Sequence, residues 1–373
     1  MERIYLAYLR KHLAKKIILI SGPRQCGKTT VSKMLASDFD YLNYDVDEHR
    51  LQLKEKSWDR KKKLVIFDEL HKLPRWKQWL KGIYDSEGTT PNIAVTGSAR
   101  LDTFKRVGDS LAGRYFAYRL HPFDVRELKA IGFAATPAEI IDRLMSVGGF
   151  PEPFLDGTPE FYHLWKRTHL DVMLRQDMID SDVVRNIRQI ELLVDLLRTR
   201  VGGTVSYANL ATELQVSDKT VKRWLEVLEN LYVVFKITPY SKKIARSVLK
   251  QPKYYFYDVA RVPDPGARFE NIIAASLLKE VQFRSDCLGQ DWSLSFLSKK
   301  GGGDVDFLIT RDEKPKIMVE AKLSDDAPAP GFRLFANELK ATEKVQLVKN
   351  LKREKTYPDG VEIREAGQWL ATW

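Results

Sequence analysis

Gly22, Gly27, Lys28 and Thr29 stand at the spacing Gly-x-x-x-x-Gly-Lys-Thr. Glycines at both ends let a short loop turn back so that its N–H groups point inward, as a polyphosphate requires. The lysine brings a cation to the β and γ oxygens, and the threonine hydroxyl beside it is a ligand for Mg2+. The run Gly22, Pro23, Arg24, Gln25, Cys26, Gly27, Lys28, Thr29 and Thr30 is therefore expected to hold ATP, with Cys26 as a spacer. Asp68 and Glu69 end a second apolar run, Leu64-Val65-Ile66-Phe67. Asp68 there suits the metal's shell and Glu69 suits polarisation of an attacking water.

A third group lies far along the chain. Asp306 is followed fourteen residues later by Glu320-x-Lys322, each in an apolar run. Residues two apart on a strand share a face, so Glu320 and Lys322 point the same way. Two carboxylates suit a hard cation such as Mg2+ or Mn2+ that activates water against a phosphodiester, with Lys322 placing the nucleophile or offsetting phosphate charge. This pattern resembles the core of the PD-(D/E)xK nucleases. That resemblance implies metal ligation by Asp306 and Glu320, and a further acid, Glu270, from the preceding helix.

The elements that must position these groups follow from the patterning. Ile17 to Ile20 reads as a buried strand entering the glycine loop, with a helix behind it. Short strands at 41–46, 64–69 and 92–98, a helix at 71–84 and a basic amphipathic helix within 2–16 complete a strand–helix alternation. Such alternation implies a parallel sheet covered on both faces, with ligands at the carboxyl ends of its strands. Beyond about residue 122 the alternation stops, and helices are expected at 124–131, 137–147, 159–176 and 187–201. Residues 207–214 and 218–231 then read as two helices joined by a turn, with Ser217 as cap. Lys219, Lys222 and Arg223 fall on the exposed side of the second. The β-rich run at 232–237 is expected to form a wing, extended in charge by Lys242, Lys243 and Arg246. A helix of this kind enters a DNA major groove, and its alternative use is protein packing. The expected fold is α/β: a P-loop NTPase sheet of AAA+ type at 1–122, a helical and winged-helix domain at 123–250, and a restriction-endonuclease-like α/β domain at 251–373.

The set Gly-Pro-Arg-Gln-x-Gly-Lys-Thr, Phe-Asp-Glu-Leu-His-Lys, Thr-Gly-Ser at 96–98, Leu-Ala-Gly-Arg at 111–114 and His-Pro-Phe at 121–123 resembles the AAA-like ATPases of bacteria and archaea that carry an additional C-terminal domain. Gly148-Gly149-Phe150-Pro151-Glu152 and Lys253-Tyr254-Tyr255-Phe256-Tyr257-Asp258 match later segments of that family. The resemblance implies that Thr96 or Ser98 senses the γ-phosphate or the lytic water. It also implies that Arg114 acts as an arginine finger across a homo-oligomer, its alternative being a surface or structural salt bridge.

Composition bounds the remaining choices. The chain of 373 residues has 44% hydrophobic and 30% charged residues, as expected of a soluble protein of two or three domains. No apolar run reaches a membrane span and no signal peptide is read at the N-terminus, so a cytoplasmic protein without a membrane partner is expected. Two distant cysteines, Cys26 and Cys287, fit a reducing compartment. A formal charge of +11 favours a polyanionic partner and by itself does not choose among DNA, RNA and an acidic protein; the helix–turn–helix pattern makes DNA the one expected. Two functions remain open: an ATP hydrolase acting on DNA, with or without cleavage, and a nucleotide-governed regulatory switch that cuts nothing.

Overall fold

A computed structural model describes residues 2–98, 111–176, 186–241, 251–299, 303–339 and 342–373. Ser110, Lys242, Lys243, Arg246 and the glycines at 301 and 302 lie outside the described residues. The chain divides into two compact units, Met1–Pro122 with Asn230–Tyr232, and Phe123–Glu229 with Val233–Trp373. Residues 123–250 and 251–373, expected as separate domains, thus share the second unit apart from Asn230–Tyr232.

The first unit is built on strands β1 (Ile17–Ser21), β2 (Phe39–Asn43), β3 (Leu64–Asp68), β4 (Asn92–Gly97) and β5 (Tyr115–Arg119), in the order β2-β3-β4-β1-β5. Every pairing is parallel. β1 and β3 are buried at every residue, which is why they read as unbroken apolar runs rather than alternating ones. Helices α1 (Leu6–Leu13), α2 (Lys28–Lys33), α3 (Asp47–Glu55) and α4 (Trp76–Glu87) accompany the sheet. Its core gathers Ile17, Leu19, Val65, Phe67, Trp76, Leu80 and Val95, with Trp58 and Trp79 edge-on to Phe67 at 5.2 and 5.3 Å. The helix expected from His71 begins later: Leu70–Lys72 is a 3-10 turn, and α4 starts at Trp76. Pro74 explains the delay, because the residue before a proline is driven out of the helical region.

The second unit opens with helices α5 (Val125–Ala130), α6 (Pro137–Val147), α7 (Pro151–Asp156), α8 (Pro159–Gln176), α9 (Ile187–Arg198), α10 (Tyr207–Leu214) and α11 (Asp218–Asn230). Gly148 and Gly149 lead directly into α7, where Pro151 takes the first helical position. Gly149 is fixed by crowding: a Cβ there would stand 2.4 Å from the Phe123 carbonyl oxygen. Strands β6 (Val234–Ile237) and β7 (Lys253–Phe256) pair antiparallel, and Thr204 bridges to Lys253. This pairing straddles the expected boundary at residue 250.

After α12 (Pro265–Leu288) come β8 (Trp292–Ser298), β9 (Asp304–Arg311) and β10 (Lys314–Lys322). They are followed by α13 (Pro330–Ala336), β11 (Glu343–Val348), β12 (Lys355–Thr356), β13 (Val361–Glu365) and α14 (Ala366–Thr372). The sheet order is β12-β13-β11-β10-β9-β8. β8, β9 and β10 form an antiparallel meander, whereas β11 and β13 run parallel to β10. α13 supplies the crossover that a parallel neighbour needs.

Candidate functional site

In the first unit the glycine loop leaves β1 at its carboxyl end and enters α2, as its chemistry demands. Gly22 is required by proximity, since a Cβ would stand 2.2 Å from the Leu120 carbonyl oxygen. Arg3, which no sequence motif singles out, is buried and ties the loop down: it donates to the carbonyl of Cys26 at 2.9 Å and to that of His121 at 2.6 Å. The Tyr232 hydroxyl donates to Ser21 Oγ at 3.0 Å, just ahead of the loop. Cys26 is wholly buried with its thiol 3.4 Å from the Leu120 carbonyl, and burial pushes that thiol up, so it serves as a spacer rather than a nucleophile. Lys28 Nζ donates to the carbonyls of Gly22 at 3.0 Å and Pro23 at 2.7 Å, folding its cation into the loop.

Asp68, at the end of β3, is the hub. Thr29 Oγ1 donates to its Oδ2 at 2.8 Å, the Tyr41 hydroxyl donates to the same oxygen at 2.6 Å, and Thr96 Oγ1 bonds to its Oδ1. The sheet order brings these together, because β2 and β4 flank β3 and all three strands end on the same side. The expected pair Thr29 and Asp68 is thus joined, and its hydroxyl and carboxylate oxygens are of the kind that Mg2+ takes. Tyr41 was not anticipated. Burial, then the Asp68 carboxylate, raise its hydroxyl well above the usual tyrosine range, so it stays a donor.

Glu69 sits one residue on with φ 53°, a left-handed conformation unusual for a non-glycine residue and concentrated at functional sites. Its Oε2 accepts from Ser98 Oγ at 3.1 Å and lies 3.5 Å from His71 Nδ1. Of the two candidates at the end of β4, Thr96 therefore faces Asp68 and Ser98 faces Glu69. Arg114 is engaged elsewhere, its Nε 2.7 Å from Asp85 Oδ1 in a half-exposed ion pair.

In the second unit, antiparallel register puts Val319 opposite Phe307 and hence Glu320 opposite Asp306. The two acids cross-brace the strands: Asp306 N–H donates to Glu320 Oε2 at 3.2 Å, and Ala321 N–H to Asp306 Oδ2 at 3.0 Å. Lys322 Nζ donates to Glu320 Oε1 at 2.9 Å, so the expected same-face pair is in contact. Glu270, on α12, accepts from the Tyr255 hydroxyl at 2.7 Å. Lys253, unforeseen as a site residue, lies 3.6 Å from both Glu270 Oε1 and Asp306 Oδ1. Burial and the Asp306 charge push Glu270 up to about 7, and the same two causes raise Glu320. For Lys322, burial opposes the charge, but its bond to Glu320 and the neighbouring acids outweigh it and raise the lysine. Among the described residues no three His, Cys, Asp or Glu side chains are arranged to hold a metal ion. The acids of this cluster are instead turned to backbone N–H groups, two lysines and the Tyr255 hydroxyl.

On the helix–turn–helix, Ser217 Oγ accepts from Thr220 N–H at 3.1 Å, capping α11 as expected, and Lys219, Lys222 and Arg223 are exposed. Asp258, at the end of the Lys-aromatic-Asp segment, is buried and binds the Tyr162 hydroxyl at 3.2 Å and Arg261 at 3.4 Å. Gly148 makes room for that acid, since a Cβ there would lie 3.0 Å from its Oδ1. The two later family segments thus meet in a structural contact.

Residues 14–129 match the family model described as an AAA domain, and residues 138–262 match one described as a domain of unknown function. The chain is 27% identical over 334 residues to an uncharacterized protein of Mycobacterium tuberculosis, covering 83% of this chain and 74% of that one. It is 25% identical over 377 residues to an uncharacterized protein of Methanocaldococcus jannaschii, covering 92% and 81%. Among solved structures, a RuvB variant of Thermotoga maritima aligns at 18% identity with a TM-score of 0.30, over 62% of this chain and 86% of that one. No described helix is long and apolar enough to cross a membrane. Sheet order, glycine loop and the match over residues 14–129 make the first unit an AAA-like P-loop ATPase fold.

Proposed function

We propose that the protein is a Mg2+-dependent ATP hydrolase that acts on DNA. The observation that carries the first half is the convergence of Thr29, Tyr41 and Thr96 on Asp68 at the mouth of the loop holding Lys28. Bound Mg2+ would be held by Thr29 and Asp68 and would neutralise charge on the β- and γ-phosphate oxygens. Lys28 exchanges its two loop carbonyls for phosphate oxygens, and the loop N–H groups orient the chain of phosphates. Glu69, held by Ser98, takes a proton from the water that attacks the γ-phosphorus, and ADP and phosphate leave. Arg114 reaches a neighbouring subunit's nucleotide only after parting from Asp85.

For the second unit we propose a winged helix, made of α10, α11 and the β6–β7 pair, whose Lys219, Lys222 and Arg223 contact DNA phosphates. We further propose that α12 and the β8–β10 meander form a PD-(D/E)xK nuclease-like core carrying Glu270, Asp306, Glu320 and Lys322. The support is the strand order and the contact between Glu320 and Lys322. Homo-oligomers and a cytoplasmic location accord with this reading.

The test is steady-state ATP turnover with and without single-stranded, duplex and branched DNA, together with a gel screen for cleavage in Mg2+ or Mn2+. DNA stimulation supports a DNA-acting machine. Slow turnover indifferent to every DNA would favour the regulatory switch, and absence of cutting under all conditions removes the nuclease arm alone.

A further inference from the structure

Lys253 is 2% exposed, yet its ammonium is placed among acids rather than at the surface. It lies 3.6 Å from Glu270 Oε1 and 3.6 Å from Asp306 Oδ1, and 5.3 Å from the centre of the Phe296 ring. Its position is fixed from the backbone: β7 pairs it with Ile237 of β6, and Thr204 bridges it on the other side. Tyr255, two residues along the same strand and so on the same face, braces Glu270 at 2.7 Å. β7 therefore delivers both a cation and a donor to the acids of α12 and β9.

We infer that Lys253 is the resident cation of this cluster, occupying the space between Glu270 and Asp306 that a divalent metal would need, and that metal binds there only in competition with it. The inference rests on reading the acids as a cation site, but not on cleavage. With Glu270, Asp306 and Glu320 all ionised, the two ammoniums of Lys253 and Lys322 leave at most one formal negative charge. A divalent ion added to that set leaves a net positive charge in a poorly hydrated place, which is unfavourable. With a neutral residue in place of Lys253, two formal negative charges remain and match the ion. The lack of a three-ligand arrangement among the described residues agrees with this, because Glu270 is turned to Lys253 and Tyr255. A buried acid deprived of its partner is also strongly destabilising, so loss of the lysine should make the fold lean on metal.

The experiment is a Mn2+ titration of the nucleotide-free full-length protein, followed by electron paramagnetic resonance, with melting temperature recorded alongside. Lys253→Met is expected to bind one Mn2+ at least ten-fold more tightly than the wild type, and to melt lower than wild type without Mn2+ but recover with it. Asp306→Asn in the same background abolishes the added site and so separates it from the P-loop. Lys253→Arg, which keeps the charge, stays weak like the wild type. Should Lys253→Met not fold, Lys253→Gln carries the same comparison. Equal Mn2+ affinity in wild type and Lys253→Met, or in Lys253→Gln where that is used, overturns the inference. The cleavage screen is read independently: no cutting together with the expected Mn2+ response removes the nuclease reading and leaves this one standing.

Discussion

Tyr41→Phe removes one oxygen and leaves the ring in place over Lys33, whose ammonium lies 4.0 Å from the ring centre. The substitution deletes a 2.6 Å donor bond to the Asp68 carboxylate. Bonds to charged groups contribute about 1.5–3 kcal/mol. Because Thr29 and Thr96 still hold Asp68, the lower end applies, about 1.5 kcal/mol, or roughly ten-fold in an equilibrium constant. Partners that orient a metal's carboxylate ligand are worth about 10–100-fold in metal affinity or activity, which brackets that figure. The assay is ATP turnover at saturating nucleotide against free Mg2+. The variant should need about ten-fold more Mg2+ for half-maximal rate, with a melting temperature close to that of the wild type. An unchanged or lower Mg2+ requirement would refute the claim that Tyr41 orients Asp68 for the metal.

Other consequences are equally open to measurement. Lys219→Glu with Lys222→Glu should weaken DNA binding across sequences, and the log–log salt slope should shrink by about 0.9 for each phosphate no longer neutralised; an unaltered slope assigns the helix to protein packing instead. Gly149→Ala forces a Cβ to 2.4 Å from the Phe123 carbonyl, and overpacking of this kind costs about 1–3 kcal/mol, read as a lower denaturant midpoint. Asp85→Ala frees Arg114 from its 2.7 Å partner; if Arg114 serves a neighbour's nucleotide, turnover at high protein concentration should rise or hold, whereas Arg114→Ala should lower it severalfold.

Motifs confined to a few consecutive residues were legible in the sequence. The glycine loop, the β3 acids and the Glu320–Lys322 pair depend on local spacing, and the structure sets each at the end of a strand. Helices α6 and α8 were also read end to end, since Pro137 and Pro159 mark first helical positions. Arg3, Tyr41 and Lys253 were not legible. Each acts on groups distant in the chain: Arg3 on the His121 carbonyl, Tyr41 on Asp68, Lys253 on Asp306. Their placement follows from strand order and register, which no local pattern specifies. The expected strand, 41–46, set Tyr41 at its start, whereas β2 runs Phe39–Asn43 beside β3 and so carries the hydroxyl to Asp68. The expected limit at residue 122 coincides with the end of the first unit's main segment, whereas the one expected at 250 is crossed by the pairing of β6 with β7.

The most direct trial of the central claim is isothermal titration of the full-length protein with ATP in the presence of Mg2+, beside Lys28→Ala. The account predicts saturable heat from one site in the wild type, abolished when Mg2+ is chelated and sharply reduced in a Lys28→Ala protein that still melts cooperatively. Equal binding by both proteins, or no heat from well-folded wild type, would contradict it.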